Sequence, residues 1–260
     1  MSYQPNNNFK RNKPGVPKNR LIIGRKPLIE SLNEAKDIEK IFMLKSATGE
    51  ELGVIKSLAK KMDIAISYVP IEKLNGFTQA NHQGVVAVAS LVNFLSLQDI
   101  IDQIVDKGEV PFFVLLDGIT DTRNLGAIAR SAFAFNAQAI IIPSSNNAAI
   151  TEEGIKASAG ALERISVCRV GSVEQAIDTL KLNGIKIIAS TLDANDSIHD
   201  LPFDEPVAIV LGAEDKGVGT YVLKTADFLV KIPMSTHFDS LNVSVAAGIM
   251  FYNTFLKRTQ

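Results

Sequence analysis

The chain has one cysteine, Cys168, in 260 residues, so no disulfide can form within it. A reducing cytoplasm is therefore the expected compartment. No apolar run is long enough to span a bilayer, so no membrane partner is expected. The first twenty residues carry Asn, Lys and Pro but no apolar core, which is not the pattern of a secretory signal. His82, His199 and His237 stand apart from one another and from the cysteine. With no metal-ligand spacing among them, no metal is expected. The dinucleotide fingerprint G-x-G-x-x-G, the Gly-Lys-Ser/Thr of a phosphate loop and the G-x-S-x-G nucleophile elbow are all missing. These gaps argue against disulfide scaffolds, membrane spans, zinc sites, nicotinamide oxidoreductases and serine hydrolases.

Acidic residues are missing from residues 1–26, where Lys10, Arg11, Lys13, Lys18, Arg20, Arg25 and Lys26 all fall. The rest of the chain has the other 20 basic residues against all 28 acidic ones. A basic arm on an acidic body can reach a polyanion, or can be a solvated tail. Charge alone leaves both readings open. Residues 1–19 have too few apolar groups to pack and read as disordered.

Apolar residues make up 46% of the chain, an ordinary share for a globular protein with a sizeable core. Residues 20–92 read as a small αβα unit. Its second helix is marked by Leu52, Ile55, Leu58 and Ala59 at helical spacing. Residues 93–260 then alternate short apolar runs with amphipathic segments, beginning with a helix expected to be capped by Ser96. Continuous apolar strands that alternate with helices predict an α/β domain with a mostly parallel, doubly covered sheet. Cys168 lies in one such run and is expected to be a packing thiol.

Three segments place polar groups just after apolar runs, where ligands bind in open α/β sheets. The first is Asn124-Leu-Gly-Ala-Ile-Ala-Arg130. Asn124 is expected near a helix start, where Asn caps well. Arg130 lies further along a largely apolar helix, where a guanidinium either snorkels to water or meets an anion. The second is Leu211-Gly-Ala-Glu-Asp-Lys-Gly-Val-Gly219. Its glycines admit close backbone approach to a ligand, and Glu214 is placed to orient an Arg or a sugar hydroxyl. The third runs over residues 232–245 and includes Ser240-Leu-Asn242 before the final helix. Ser240 or Asn242 would cap that helix, and both are also placed to hold a polar ligand.

In order and separation, N-x5-R, G-x-E-x-x-G and I-P-M…S-L-N-V-S-V-A resemble the three motifs of the SpoU/TrmH-type branch of the SPOUT (α/β-knot) RNA 2′-O-methyltransferases. The resemblance covers about residues 111–256. The small N-terminal unit, including His82-Gln-Gly-Val-Val86, is similar to the ribosomal-protein-like substrate-binding domain fused to many members. This layout, with Asp117-Gly-Ile-Thr-Asp121 before the first motif, most resembles the bacterial 23S rRNA guanosine 2′-O-methyltransferases.

The resemblance implies a deep trefoil knot in residues 93–260, a homodimer with its active site at the subunit interface, and S-adenosyl-L-methionine as methyl donor. By motif position it implies catalytic or substrate-positioning roles for Asn124, Arg130, Glu214, Ser240 and Asn242. It likewise implies donor contacts at Thr191, Leu192, Gly212, Ile232 and Leu241. Thr122 replaces a common Pro, and Phe133 and Phe135 replace an Asp and a small residue, so the helix surface beside Arg130 is altered. Other rRNA or tRNA targets and a non-catalytic role in ribosome assembly are the alternatives.

Overall fold

The computed structural model describes residues 16–191, 194, 196–201, 204–235 and 240–259. Most of the basic arm, together with Leu192 and His237, lies outside the described residues. Within the arm, Lys18–Arg20 form a 3-10 turn, and Arg20 donates to the Ala89 carbonyl through Nε at 3.1 Å and Nη2 at 2.7 Å.

The N-terminal unit is built from β1 (Leu21–Ile23), α1 (Arg25–Asn33), β2 (Ile38–Leu44), α2 (Glu50–Lys61), β3 (Ile66–Val69), α3 (Ile71–Asn75) and β4 (Val85–Ala89). Its sheet has the order β1-β4-β2-β3; only β2 and β3 run parallel. Helical spacing puts Leu52, Ile55 and Ala59 on one face of α2. That face joins Leu28 and Leu32 of α1 over Ile41, Met43, Val85 and Ala87 of the sheet. Phe42, one residue out of phase, points to the other face and packs on Phe77, with ring centroids 4.8 Å apart.

The larger unit contains β5 (Phe94–Leu95), α4 (Leu97–Asp106), β6 (Phe112–Asp117), α5 (Thr122–Ala134), β7 (Ala139–Pro143), α6 (Glu152–Ala157) and β8 (Ser166–Val170). It continues with α7 (Val173–Leu182), β9 (Lys186–Ser190), β10 (Asp196–Ser197), β11 (Val207–Gly212), α8 (Thr220–Thr225), β12 (Phe228–Lys231) and α9 (Val243–Thr259). Its sheet runs β10-β12-β9-β11-β6-β7-β8-β5, with every pairing parallel. The central strands β6, β7 and β11 are apolar along nearly their whole length because both faces are covered; Ser166, Arg169, Lys186 and Lys231 are polar positions on the strands around them. Phe112, Val114 and Leu116 of β6 meet α5 and α9 on one side, while Phe113 and Leu115 meet α4 and α7 on the other. Cys168 is fully buried in the second core, as expected.

Ser96 caps α4 by accepting from the Asp99 N–H at 3.4 Å. The start of α5 differs from the sequence expectation. Its cap is Asp121, whose Oδ1 accepts from the N–H groups of Arg123 at 2.6 Å and Asn124 at 3.3 Å. Asn124 is thus the third residue of the helix, and its amide is left for other partners. Gly126 permits the close packing of α5 on α6: a Cβ there would lie 2.4 Å from the Gly154 carbonyl oxygen.

Candidate active site

The carboxyl ends of β6, β9, β11 and β12 open on the same side of the sheet, because all four strands are parallel. A cavity of about 400 Å³ lies there. Ser190 and Thr191 reach it from the end of β9, Lys231, Ile232 and Met234 from the end of β12, and Ser240, Leu241, Val243 and Ala246 from the start of α9. The loop after β11, from Gly212 to Val218, forms another wall.

That loop is a tight hairpin. Ala213 N–H donates to the Gly217 carbonyl at 3.0 Å and Gly217 N–H returns to Ala213 at 2.8 Å. Gly212 is required by space: a Cβ on it would lie 2.1 Å from the Gly217 carbonyl carbon and 2.3 Å from the Val218 nitrogen. At φ +65°, Gly217 occupies the left-handed region that side chains avoid. Asp117, at the end of the neighbouring strand, fastens the far side by accepting the Gly219 N–H on Oδ2 at 2.6 Å. The sequence reading gave Asp117 no role. Its signal was an acidic residue at a strand end, which cannot show that the partner lies 102 residues away.

At the cavity mouth three of the expected residues meet. Asn124 Nδ2 donates to Glu214 Oε1 at 3.1 Å. Asn242 Nδ2 donates to the same oxygen at 2.6 Å and to Asn124 Oδ1 at 3.1 Å. Asn242 Oδ1 accepts from the N–H and hydroxyl of Ser244, at 2.9 and 2.6 Å. Asn242 therefore caps α9 and completes the triad with one side chain. Glu214 is held by two amides rather than by an Arg. All three side chains remain open to solvent, so each hydrogen bond is individually modest; the closed triangle is what fixes their orientation.

Thr191, Gly212, Ile232 and Leu241 all line the cavity, together with Glu214 and Ser240. Arg130 does not join them. Asn124 and Arg130 are six helical positions apart, about 9 Å along the axis and about 120° round it. Arg130 is exposed and makes no hydrogen bond or ion pair among the described residues. Asn124 accordingly does not hold it. Val218, Met234 and Val243 add apolar wall from within the three segments without having been given a role there, and Leu223 adds it from outside them. Among the described residues, no three His, Cys, Asp or Glu side chains are grouped as a metal site, and no helix is long and apolar enough to cross a membrane.

Residues 111–252 match the SpoU rRNA Methylase family, and residues 21–95 match the RNA 2′-O ribose methyltransferase substrate binding domain. The chain is 36% identical over 237 residues to Bacillus subtilis YacO, named as a TrmH family tRNA/rRNA methyltransferase; the match covers 91% of this chain and 95% of YacO. The SpoU methyltransferase AviRb of Streptomyces viridochromogenes, solved in complex with the cofactor AdoMet, superposes with a TM-score of 0.59 at 21% identity and 92% and 90% coverage. An AdoMet-bound rRNA methyltransferase from Sinorhizobium meliloti gives a TM-score of 0.58 at 24% identity, covering 91% of this chain and 87% of that one. The α/β SPOUT fold, the substrate-binding domain ahead of it and the extent of these matches together establish that the chain belongs to the SpoU family of RNA 2′-O-ribose methyltransferases.

Proposed function

We propose that the protein transfers a methyl group from S-adenosyl-L-methionine to the 2′-hydroxyl of a guanosine in 23S rRNA, acting as a homodimer. The observation that carries this reading is the Asn124–Glu214–Asn242 triangle at the mouth of the cavity formed by Thr191, Gly212, Ile232 and Leu241. The residues present fit the donor. About 400 Å³ lies within the range of roughly 300–1,000 Å³ usual for small-molecule sites. Leu211, Val218, Leu223 and Leu241 offer an apolar wall for a base, and the glycine hairpin lets main-chain groups approach closely. The expected trefoil knot belongs with this reading, because the donor wall is assembled from the three segments the family threads through one another. Leu192 is assigned a donor contact on the family motif alone.

When bound, the donor supplies a methyl already activated on a sulfonium, so the protein's task is alignment and proton management. Asn124, Glu214 and Asn242 fix the mouth of the site, and Ser240 offers a hydroxyl to the target nucleotide. Arg130 acts as a cation with a fork of hydrogen-bond donors and not as the base. It grips the phosphate beside the target ribose and polarises the hydroxyl, whose proton leaves to phosphate or water.

The place of Arg130 on α5 supports its serving the partner's cavity. An exposed apolar stripe on α9 supports the homodimer. Val245, Ile249, Tyr252 and Leu256 of α9 lie at helical spacing and are 51, 36, 49 and 37% exposed. An apolar stripe of this kind usually marks an interface. The basic arm and small domain then supply charge and shape contacts to RNA.

The test is transfer of labelled methyl to total rRNA and to tRNA, followed by mapping of 2′-O-methyl positions. Label at one guanosine of 23S rRNA supports the reading, label on tRNA moves the target, and no label on any RNA overturns it. Arg130→Ala is expected to cost at least two orders of magnitude in turnover while donor binding persists. Near-normal turnover would remove Arg130 from the mechanism.

A further inference from the structure

The seam between the small domain and the larger unit buries charge. Arg169 on β8 and Glu39 on β2 pair at 3.6 Å with side chains only 9 and 10% exposed. Arg169 also donates to the carbonyls of Ile38 at 2.5 Å and Glu39 at 3.4 Å, and its guanidinium lies 3.4 Å from the centroid of the Phe94 ring. Asp37 Oδ1 accepts the Phe94 N–H at 2.9 Å. Ionised groups leave water only when paired and hydrogen-bonded, and removing one partner of such a pair leaves the other charge buried without compensation. Two cavities border the pair at this seam, one of about 50 Å³ beside Ile150 and one of about 460 Å³ between Asp37 and Asp63 of the small domain and Leu97 and Arg169 of the larger unit.

The contacts continue towards the active site. Glu39 Oε1 accepts the Ile150 N–H at 3.1 Å, and the Ser144 hydroxyl donates to the Asp63 carbonyl. Both partners sit on the loop after β7. From that loop Asn147 Oδ1 accepts the Ile119 N–H at 3.0 Å, Ala148 N–H donates to the Ile119 carbonyl at 2.6 Å, and the hydroxyls of Thr122 and Thr151 are 2.9 Å apart. Ile119 and Thr122 belong to the turn that leads into α5 and Asn124. One segment, residues 144–151, thus touches the small domain on one side and the start of the catalytic helix on the other.

We propose that the Glu39–Arg169 pair and the 144–151 loop lock the substrate-binding domain in one pose over the start of α5. Glu39 and Asn147 are then positioning residues for RNA, although neither reaches the donor cavity. The proposal rests on the methyltransferase reading above. A fixed pose sets the distance between RNA held on the small domain and the ribose presented at Asn124, so it selects which nucleotide is methylated.

The experiment uses the full chain with dyes at Lys60→Cys on α2 and Leu182→Cys on α7. Both positions are exposed, and the buried Cys168 thiol, pushed up to about 12, stays unlabelled. The wild-type background is expected to give one narrow inter-dye distance. Glu39→Ala is expected to broaden it and to lower kcat/KM for RNA at least tenfold, mainly through KM, with donor Kd unchanged. Glu39→Gln, which keeps an acceptor for the Ile150 N–H, is expected to recover part of the loss. Asn147→Ala is expected to keep the narrow distance yet lower turnover on RNA, which tests the loop should Glu39→Ala fold poorly. A broad wild-type distance, RNA kinetics within twofold of wild type in both Ala variants, or a parallel loss of donor affinity would each overturn the lock. A wild-type chain that methylates no RNA would instead overturn the functional reading, and the distance measurement would still decide the lock.

Discussion

At Gly212 the demand for glycine is steric: the backbone of Gly217 and Val218 occupies the space a methyl group would need. Gly212→Ala is expected to push the hairpin outward at a cost of about 1–3 kcal/mol and to weaken donor binding at least tenfold, read by calorimetric titration and a melting curve. Unchanged donor affinity would show that the hairpin wall is not part of the donor site. Cys168 makes a second prediction. Burial raises its thiol pKa from 9.0 to about 12, with nearby Asp99 adding to the effect. Between those values the unfolded chain loses a proton that the folded chain keeps. Stability therefore falls as pH rises above 9, by up to roughly 4 kcal/mol near pH 12. Cys168→Ala is expected to remove that slope in denaturant titrations at pH 8 and pH 11, although the cavity it leaves lowers stability at both. The burial of Cys168 was readable from its apolar neighbours. The closure of Asn124, Glu214 and Asn242 into a triangle was not, because their separations along the chain of 28 to 118 residues carry no distance information.

Among the elements, α9 divides its surface between two duties. Ala247, Met250 and Phe251 are buried against the sheet, and Phe135 packs on Tyr252 and Phe255 with ring centroids 5.5 and 6.0 Å away. The opposite stripe, Val245, Ile249 and Leu256 with the exposed part of Tyr252, is left to a second copy in the functional reading. Ile249→Asp is expected to halve the mass in analytical ultracentrifugation and abolish methyl transfer while the helical circular dichroism signal stays near wild type. A dimeric, active variant would remove this face from the interface. The alternation of apolar strands and amphipathic helices made most elements legible to within a few residues. The start of α5 was not. Asp121 and Asn124 both suit a cap, and the choice fell to Asp121 because its carboxylate reaches two N–H groups, while the Asn124 amide is engaged across the cavity. The two-residue strands β5 and β10 are too short to leave a pattern of their own.

For the whole molecule, charge asymmetry and domain arrangement act together. Removing residues 1–19 is expected to lower RNA affinity several-fold at low salt and to flatten its dependence on salt, with donor affinity unchanged, in filter-binding titrations at several ionic strengths. Identical salt slopes would assign RNA binding to the folded domains alone. Local sequence determined much of this protein: strands apolar on both faces demand a doubly covered parallel sheet, and the three motifs point to one family. Those signals are short-ranged, set by periodicity and by the chemistry of neighbouring side chains. The tertiary structure decided the rest. It paired Asp117 with Gly219, left Arg130 out of the lining of the cavity, and buried Arg169 against Glu39 between domains. Each of these depends on how distant segments pack, and packing brings together groups whose spacing along the chain does not reveal that they meet.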